Sequence, residues 1–197
     1  GFCITLPKLE EAEQVHWLLQ HLIELEGQRG PIPIEIMVES PRALRNLESL
    51  VGACSGRCRG LHFGPYDFLA SCGIGSPQLH NPVNVQARAA ILLQWSGRGL
   101  ELADGPTTTL PLPVHREPKN EQLQENQKAI RGAWEQHRDD VVASRSAGFR
   151  QSWLLHPSQL VSHTAALLHE YDLLWPQACE RLARYWKNRG QIGRAHV

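Results

Sequence analysis

Three short stretches place acids or other proton-active side chains where apolar runs end. The first is Ile34-Glu35-Ile36-Met37-Val38-Glu39-Ser40. Side chains alternate along a strand, so Glu35, Met37 and Glu39 share one face, with Glu39 at the carboxyl end. A carboxylate placed there costs free energy unless it is paired or binds metal. The competing reading is that Glu39 caps the next helix or pairs with Arg42. The second stretch runs from His62 through Gly64-Pro65-Tyr66-Asp67 to Gly73. Gly64-Pro65 breaks a strand, Asp67 follows in the turn, and the amides of Tyr66 and Asp67 are placed to bind a carboxylate. Here the competing reading is an ordinary turn with Asp67 as an N-cap. Taken together, Glu39 and Asp67 are two hard oxygen ligands at adjacent strand ends. That set suits Mg²⁺ or Mn²⁺, with positions left for water and substrate. A divalent ion chelated by a 2-keto acid stabilises the enolate that forms when a carbon–carbon bond is made or broken. The third stretch, Gly148 to Gln159, contains His156, either an acid–base group or a hydrogen-bonded structural histidine before Pro157; the structural role is favoured.

These residues need strands to hold them, and the sequence supplies strands alternating with helices. Cys3–Leu6 is a short apolar run closed by Pro7. Leu9 to Leu25 has helical spacing, stopped by Gly27 and Gly30. Ile32–Val38 is a β-branched run of the kind buried on both faces. Ser40 caps and Pro41 opens the next helix, continued by Leu44, Leu47, Leu50 and Val51. Leu61–Phe63 is the third strand. Asn81–Leu100 reads as a helix with Val85, Ala89, Leu92, Leu93 and Trp95 inward, and Leu100–Ala103 as a strand. Gly105–Pro118 reads as a long loop and Glu121–Ala147 as a polar helix. Trp153–Leu155 is expected to be a fifth strand, before a long helix over Ser158–Asn188 bent at Pro176. Five strands separated by helices, without a hairpin signal, predict an α/β fold with a parallel sheet or barrel.

Composition narrows the function. The 197 residues are 42% hydrophobic and 20% charged, enough for a packed core. Twenty basic residues balance twenty acidic ones, so no net field draws the chain to nucleic acid or an anionic membrane, and neither is expected as a partner. No apolar run approaches the ~20 residues of a spanning helix. Five cysteines in no regular spacing point to reduced thiols and a cytoplasmic location. Cys54-x3-Cys58 lacks a second pair and reads as a loop or buried thiol rather than half a zinc site. Gly73-Ile74-Gly75 is no dinucleotide loop, and there is no P-loop. The chain opens directly in a strand without methionine. Its end, Ile192 to Val197, reads as translated sequencing-adaptor DNA. Residues 1–190 are therefore expected to be the C-terminal portion of one domain, and 191–197 a non-native tail.

With those residues in view, the chain resembles the HpcH/HpaI aldolase and citrate lyase beta-subunit family. Four motifs carry the resemblance, in order: Thr5-Leu6-Pro7-Lys8-Leu9-Glu10, Ile36-Met37-Val38-Glu39-Ser40, Phe63-Gly64-Pro65-Tyr66-Asp67 and Leu155-His156-Pro157-Ser158-Gln159. The similarity spans most of Phe2 to about Leu168. It implies a (β/α)8 TIM barrel, here incomplete, with about the last five strands and helices. It further implies Mg²⁺ or Mn²⁺ on Glu39 and Asp67, and a substrate carboxylate at Gly64, Pro65, Tyr66 and Asp67. The arginine that members use to polarise the keto group lies on an earlier strand. Asp67–Ile74 and Leu102–Thr108 look like a separate branch of the superfamily, some of whose members carry a phosphoenolpyruvate-related name. Gln151-Ser152 stands where many members have Gly-Lys, and the loops Gly75–Val85 and after Asp104 differ from the small aldolases. CoA-thioester use and the substrate therefore stay open.

The expectation is a metal-dependent carbon–carbon lyase or aldolase working through a pyruvate-like enolate. Asp104 and His156 are further catalytic candidates. The partner is a small keto acid or related molecule, and the resemblance implies a homo-oligomer for the full-length protein. The alternatives are phosphoryl transfer on an enolpyruvate and a non-catalytic assembly subunit.

Overall fold

The computed structural model describes residues 2–27, 30–76, 78–150 and 153–192, with side chains as far as Arg189. Gln151-Ser152 and the residues from 193 onward lie outside the described residues. The chain divides into two compact units, Gly1–Thr108 with Ala143–Leu155, and Thr109–Val142 with His156–Val197.

In the first unit, short strands alternate with helices: β1 Ile4–Leu6, α1 Ala12–Glu26, β2 Ile34–Val38, α2 Pro41–Arg45, α3 Leu47–Ala53, β3 Cys58–Phe63, α4 Pro65–Ser71, α5 Pro82–Trp95 and β4 Glu101–Ala103. The four strands form one parallel sheet in the order β1-β2-β3-β4. Each crossover contains a helix, as parallel neighbours require. Ile36 pairs with Leu61, Val38 with Phe63 and Leu61 with Leu102. These side chains pack with Val15, Leu19, Leu22, Leu47, Leu50, Ile91 and Trp95 into one core. Each fully buried side chain contributes about 1.5–3 kcal/mol. On the opposite face lie Thr5, Glu35, Met37 and His62, from β1, β2 and β3. The helix side of the sheet is thus apolar, while the other side carries the polar Thr5, Glu35 and His62 around Met37.

Three expectations are corrected. Trp153–Leu155 forms no strand among the described residues; the chain instead touches the sheet at Arg150, which makes an isolated parallel bridge to Ala103. Arg150 N–H donates to Leu102 O at 2.7 Å, and Asp104 N–H donates to Arg150 O at 2.8 Å. Pairing is thus fixed by backbone three residues before the apolar run. Second, α5 buries Asn84, Ala87, Arg88, Ile91 and Trp95, while Val85, Ala89 and Leu93 are exposed. The buried face is set by the bonding of two polar residues, invisible to a hydrophobicity count. Third, Asp67 is neither in an open turn nor at an N-cap: it lies inside helix α4, whose first turn holds Pro65, where proline's missing N–H costs nothing.

The second unit contains most of helix α6, Glu121–Ser146, and helix α7, Leu160–Ile192, which a 3-10 turn over Pro157–Gln159 precedes. Pro176 lies inside α7, and helix continues on both sides of it. Asn126 clasps the backbone of His115 in both directions at 2.8 Å. Buried His137 bonds Ser162 Oγ through Nδ1 at 2.7 Å. Among the described residues, no helix is long and apolar enough to cross a membrane.

Candidate active site at the carboxyl ends of the strands

Glu39 follows the last residue of β2, and Gly64 follows the last residue of β3. The Gly64 N–H donates to Val38 O at 2.9 Å, which holds the two strand ends side by side. A Cβ on Gly64 would stand 2.8 Å from Glu39 Cβ and 3.2 Å from its Oε2, so only glycine lets α4 begin against that carboxylate. Pro65 and Tyr66 are braced from β4's end. A Cβ on Gly105 would fall 2.2 Å from Pro65 Cδ, and Tyr66 Oη donates to Pro106 O at 2.9 Å. Asp67 therefore sits in the first turn of α4, and Gly64, not Asp67, occupies the N-cap.

Lys8, just past β1, ties these parts together. Its φ of 56° is in the left-handed region, a cost of about 1 kcal/mol. That backbone turn aims its N–H at Glu39 Oε1, 2.5 Å away. The Lys8 ammonium lies 2.6 Å from Asp67 Oδ1 and 3.5 Å from Glu39 Oε2. The hydrogen bond to Asp67 raises the Lys8 pKa above its ordinary value; burial opposes this and the charges of Glu39 and Asp67 reinforce it. Glu39 is 4% exposed and Asp67 55%. The alternative partner for Glu39 is otherwise engaged, because Arg42 pairs with Glu11. Capping of α2 is done by Ser40, whose Oγ accepts from Ala43 N–H at 3.0 Å. Lys8 was not legible as a site residue: a lysine after a short strand has the same sequence signature as a solvated one.

A cavity of about 550 Å³ opens here, lined by Thr5, Pro7, Lys8, Met37, Glu39, His62, Asp67 and Trp153. Beside it, Glu35 accepts from Thr5 Oγ1 at 2.9 Å and lies 2.9 Å from His62 Nε2. Burial pushes the Glu35 carboxyl up. The bonds from Thr5, Cys3 and His62, with the charge of His62, outweigh it and hold the group below the usual range.

The remaining candidates are held by other partners. Asp104 is 1% exposed. Its Oδ1 accepts from Arg88 Nε and from Gly105 N–H, both at 2.9 Å, and its Oδ2 from Ser144 Oγ at 2.7 Å. With Arg88 and Ser144 it lines a different cavity of about 330 Å³. Its geometry anchors the Gly105-Pro106 turn that braces Pro65 and Tyr66. His156 belongs to the second unit, where Nδ1 accepts from Ser158 N–H at 3.2 Å and caps the 3-10 turn. Among the described residues, no group of three or more His, Cys, Asp or Glu side chains is arranged to hold a metal. What the site does offer is two carboxylates converging on a single cation, the Lys8 ammonium.

A family model described as a domain of unknown function, DUF6986, matches residues 1–196. The chain belongs to the DUF6986 family. No curated protein matches this DUF6986 chain. Solved structures do share its fold. A citrate lyase from Burkholderia xenovorans LB400 is 22% identical, with a TM-score of 0.61, over 83% of this chain and 48% of that one. RipC from Yersinia pestis is 22% identical, TM-score 0.56, over 82% and 61%. The citrate lyase beta subunit of Mycobacterium tuberculosis, complexed with oxaloacetate and magnesium, is 21% identical, TM-score 0.56, over 84% and 61%. The DUF6986 chain thus spans about half to three-fifths of these structures.

Proposed function

We propose that this chain carries the cation- and substrate-binding part of a metal-dependent carbon–carbon lyase or aldolase, acting through the enolate of a pyruvate-like keto acid on a (β/α)8 barrel. The observation that carries this reading is the meeting of Glu39 and Asp67 on one cation, with Lys8 Nζ at 3.5 and 2.6 Å. Two carboxylates and no third protein ligand is the donor set of a hard divalent ion that keeps open positions for water and a chelating substrate. The fold neighbour crystallised with oxaloacetate and magnesium supports the same chemistry.

Glu39 and Asp67 would hold Mg²⁺ or Mn²⁺, which when bound stabilises negative charge on the keto oxygen. Lys8 would give up that position and pair with the substrate's negative charge at the cavity rim. The first-turn N–H groups of Tyr66 and Asp67 point out of the end of α4 and would receive the substrate carboxylate, with Gly64 and Pro65 shaping the approach. Trp153 and Met37 supply apolar wall, which strengthens charge interactions by excluding water.

The test is deuterium exchange into the methyl group of pyruvate by the full-length protein, followed by NMR with and without Mn²⁺. Exchange that requires Mn²⁺ and disappears in Asp67→Asn and Glu39→Gln is the expected outcome. Wild-type rates in either variant would sink the assignment of the ligands.

A further inference from the structure

A second set of proton-active groups stands in and beside the pocket, and the cation site does not use it. Along β2, the alternation that puts Glu39 on the pocket's face puts Glu35 on the same face, beside the pocket and about 13 Å further down the strand at 3.3 Å per residue. Its neighbours are fixed by register. Thr5 pairs with Glu35 across β1 and β2, and His62 pairs with Met37 across β2 and β3. The second pairing depends on an irregularity. Ile34 pairs with Cys58 but Glu35 with Gly60, so Arg59 is the extra residue of a bulge. Without it, Leu61 would face Met37, and His62 would point into the helix-side core, because a one-residue shift reverses every side chain. The bulge is what delivers an imidazole to the pocket.

Once there, the ring is oriented. Glu35 Oε2 lies 2.9 Å from His62 Nε2 and accepts from Thr5 Oγ1 at 2.9 Å. Glu35 and His62 are only 15% and 17% exposed. An ionised carboxylate can only accept, so Nε2 carries a proton, and in the neutral ring Nδ1 then presents a lone pair. Among the described residues, Nδ1 has no hydrogen-bond partner, and His62 lines the cavity that holds Glu39 and Asp67. The other titratable groups about the pocket are the Cys3 thiol beside Glu35, and Lys8, Glu39 and Asp67 at the mouth. A pair serving stability alone would do as well or better as two apolar residues. An oriented histidine in a 550 Å³ cavity has a use that an apolar pair does not.

We propose that His62 is the acid–base residue of this pocket and that Glu35, with Thr5, positions it. The proposal rests on the lyase reading above. His62 Nδ1 takes a proton from the carbon adjacent to the keto group. The C–H electron pair becomes the carbon–carbon double bond, and the keto π pair moves onto oxygen. The imidazolium that results stands against the Glu35 carboxylate, so the charge is balanced where it forms. In the reverse step the same proton returns to carbon. In the lyase direction, His62 Nδ1 first takes the hydroxyl proton as that C–O bond becomes a carbonyl and the carbon–carbon pair passes to the enolate, and the imidazolium then returns the proton to the enolate carbon. No electron donor or acceptor is required.

The experiment uses the full-length protein, Mn²⁺ and pyruvate. Deuterium exchange is measured for wild type, His62→Gln, His62→Ala with and without added imidazole, and Glu35→Gln. Mn²⁺ binding is followed by EPR, and the wild-type His62 ring by ¹⁵N NMR. Loss of an acid–base group predicts a fall of roughly 100-fold or more in His62→Gln with Mn²⁺ binding unchanged, partly restored by imidazole in His62→Ala. In Glu35→Gln, kcat should fall while KM for pyruvate holds, and the ring should populate both tautomers. Wild-type exchange by His62→Gln overturns the assignment and leaves the lyase reading standing. A wild-type His62 ring protonated at Nδ1 overturns it as well, whether or not the variants fold. Wild-type protein that binds Mn²⁺ but exchanges nothing overturns both readings together.

Discussion

At the scale of single residues, the site turns on Lys8. Its ammonium is the cation on which Asp67 and Glu39 converge, although its side chain is 66% exposed. Removing it takes one competing positive charge away from the carboxylates without touching either ligand. Lys8→Met should therefore tighten Mn²⁺ binding by about fivefold, the equivalent of ~1 kcal/mol for an exposed ion pair. Calorimetric titration checks this, and unchanged affinity would show that the ammonium does not compete. The carboxylates were legible because Glu39 directly follows an apolar strand end and Asp67 comes just after the Gly64-Pro65 break that ends the next strand. Glu35 was also legible as a partner on the face of Glu39. His62 was not, because its orientation depends on the bulge at Arg59, and no residue type in Cys58-Arg59-Gly60 announces a bulge.

At the scale of elements, β4, α5 and the end of α6 are joined by a buried polar knot. Arg88 donates to Asp104 and to Leu79 O, and Ser144 donates to the other oxygen of Asp104. Arg88 also stands 5.5 Å from the centre of the Phe63 ring. Breaking one partner of such a pair leaves a buried charge uncompensated. Arg88→Met should cost about 3–5 kcal/mol in urea unfolding. Adding Asp104→Asn to that variant should recover part of the loss, since the stranded charge is gone. A double variant no more stable than Arg88→Met would place the loss in packing instead. This knot also explains the misreading of α5. Counting apolar residues selects Val85 and Leu93, whereas the helix turns Asn84 and Arg88 inward because Gln78 O, Leu79 O and Asp104 await them. The alternation of strands and helices was legible from short apolar runs such as β2, set between stretches of helical spacing. Helix α4 starts three residues earlier than an N-cap at Asp67 would place it, because Gly64 takes the cap and Pro65 opens the first turn.

At the scale of the whole molecule, much apolar surface has no cover among the described residues. Along α7, Tyr171, Trp175, Leu182 and Trp186 are each more than half exposed. The first unit adds the sheet edge at β1. Exposed apolar surface and unpaired strand edges both favour association. This 197-residue chain should therefore elute as a self-associated species by light scattering, and a monodisperse 22.1 kDa monomer would contradict that.

The order of the sheet has a consequence for synthesis. Strand order follows chain order, so each strand pairs with one the ribosome has already made. Glu39 and Asp67 can meet as soon as α4 has emerged, while Trp153, the last residue of the cavity wall, is still untranslated. The carboxylates therefore face each other first across open water, and Lys8, made before either, is already there to balance them before the wall arrives.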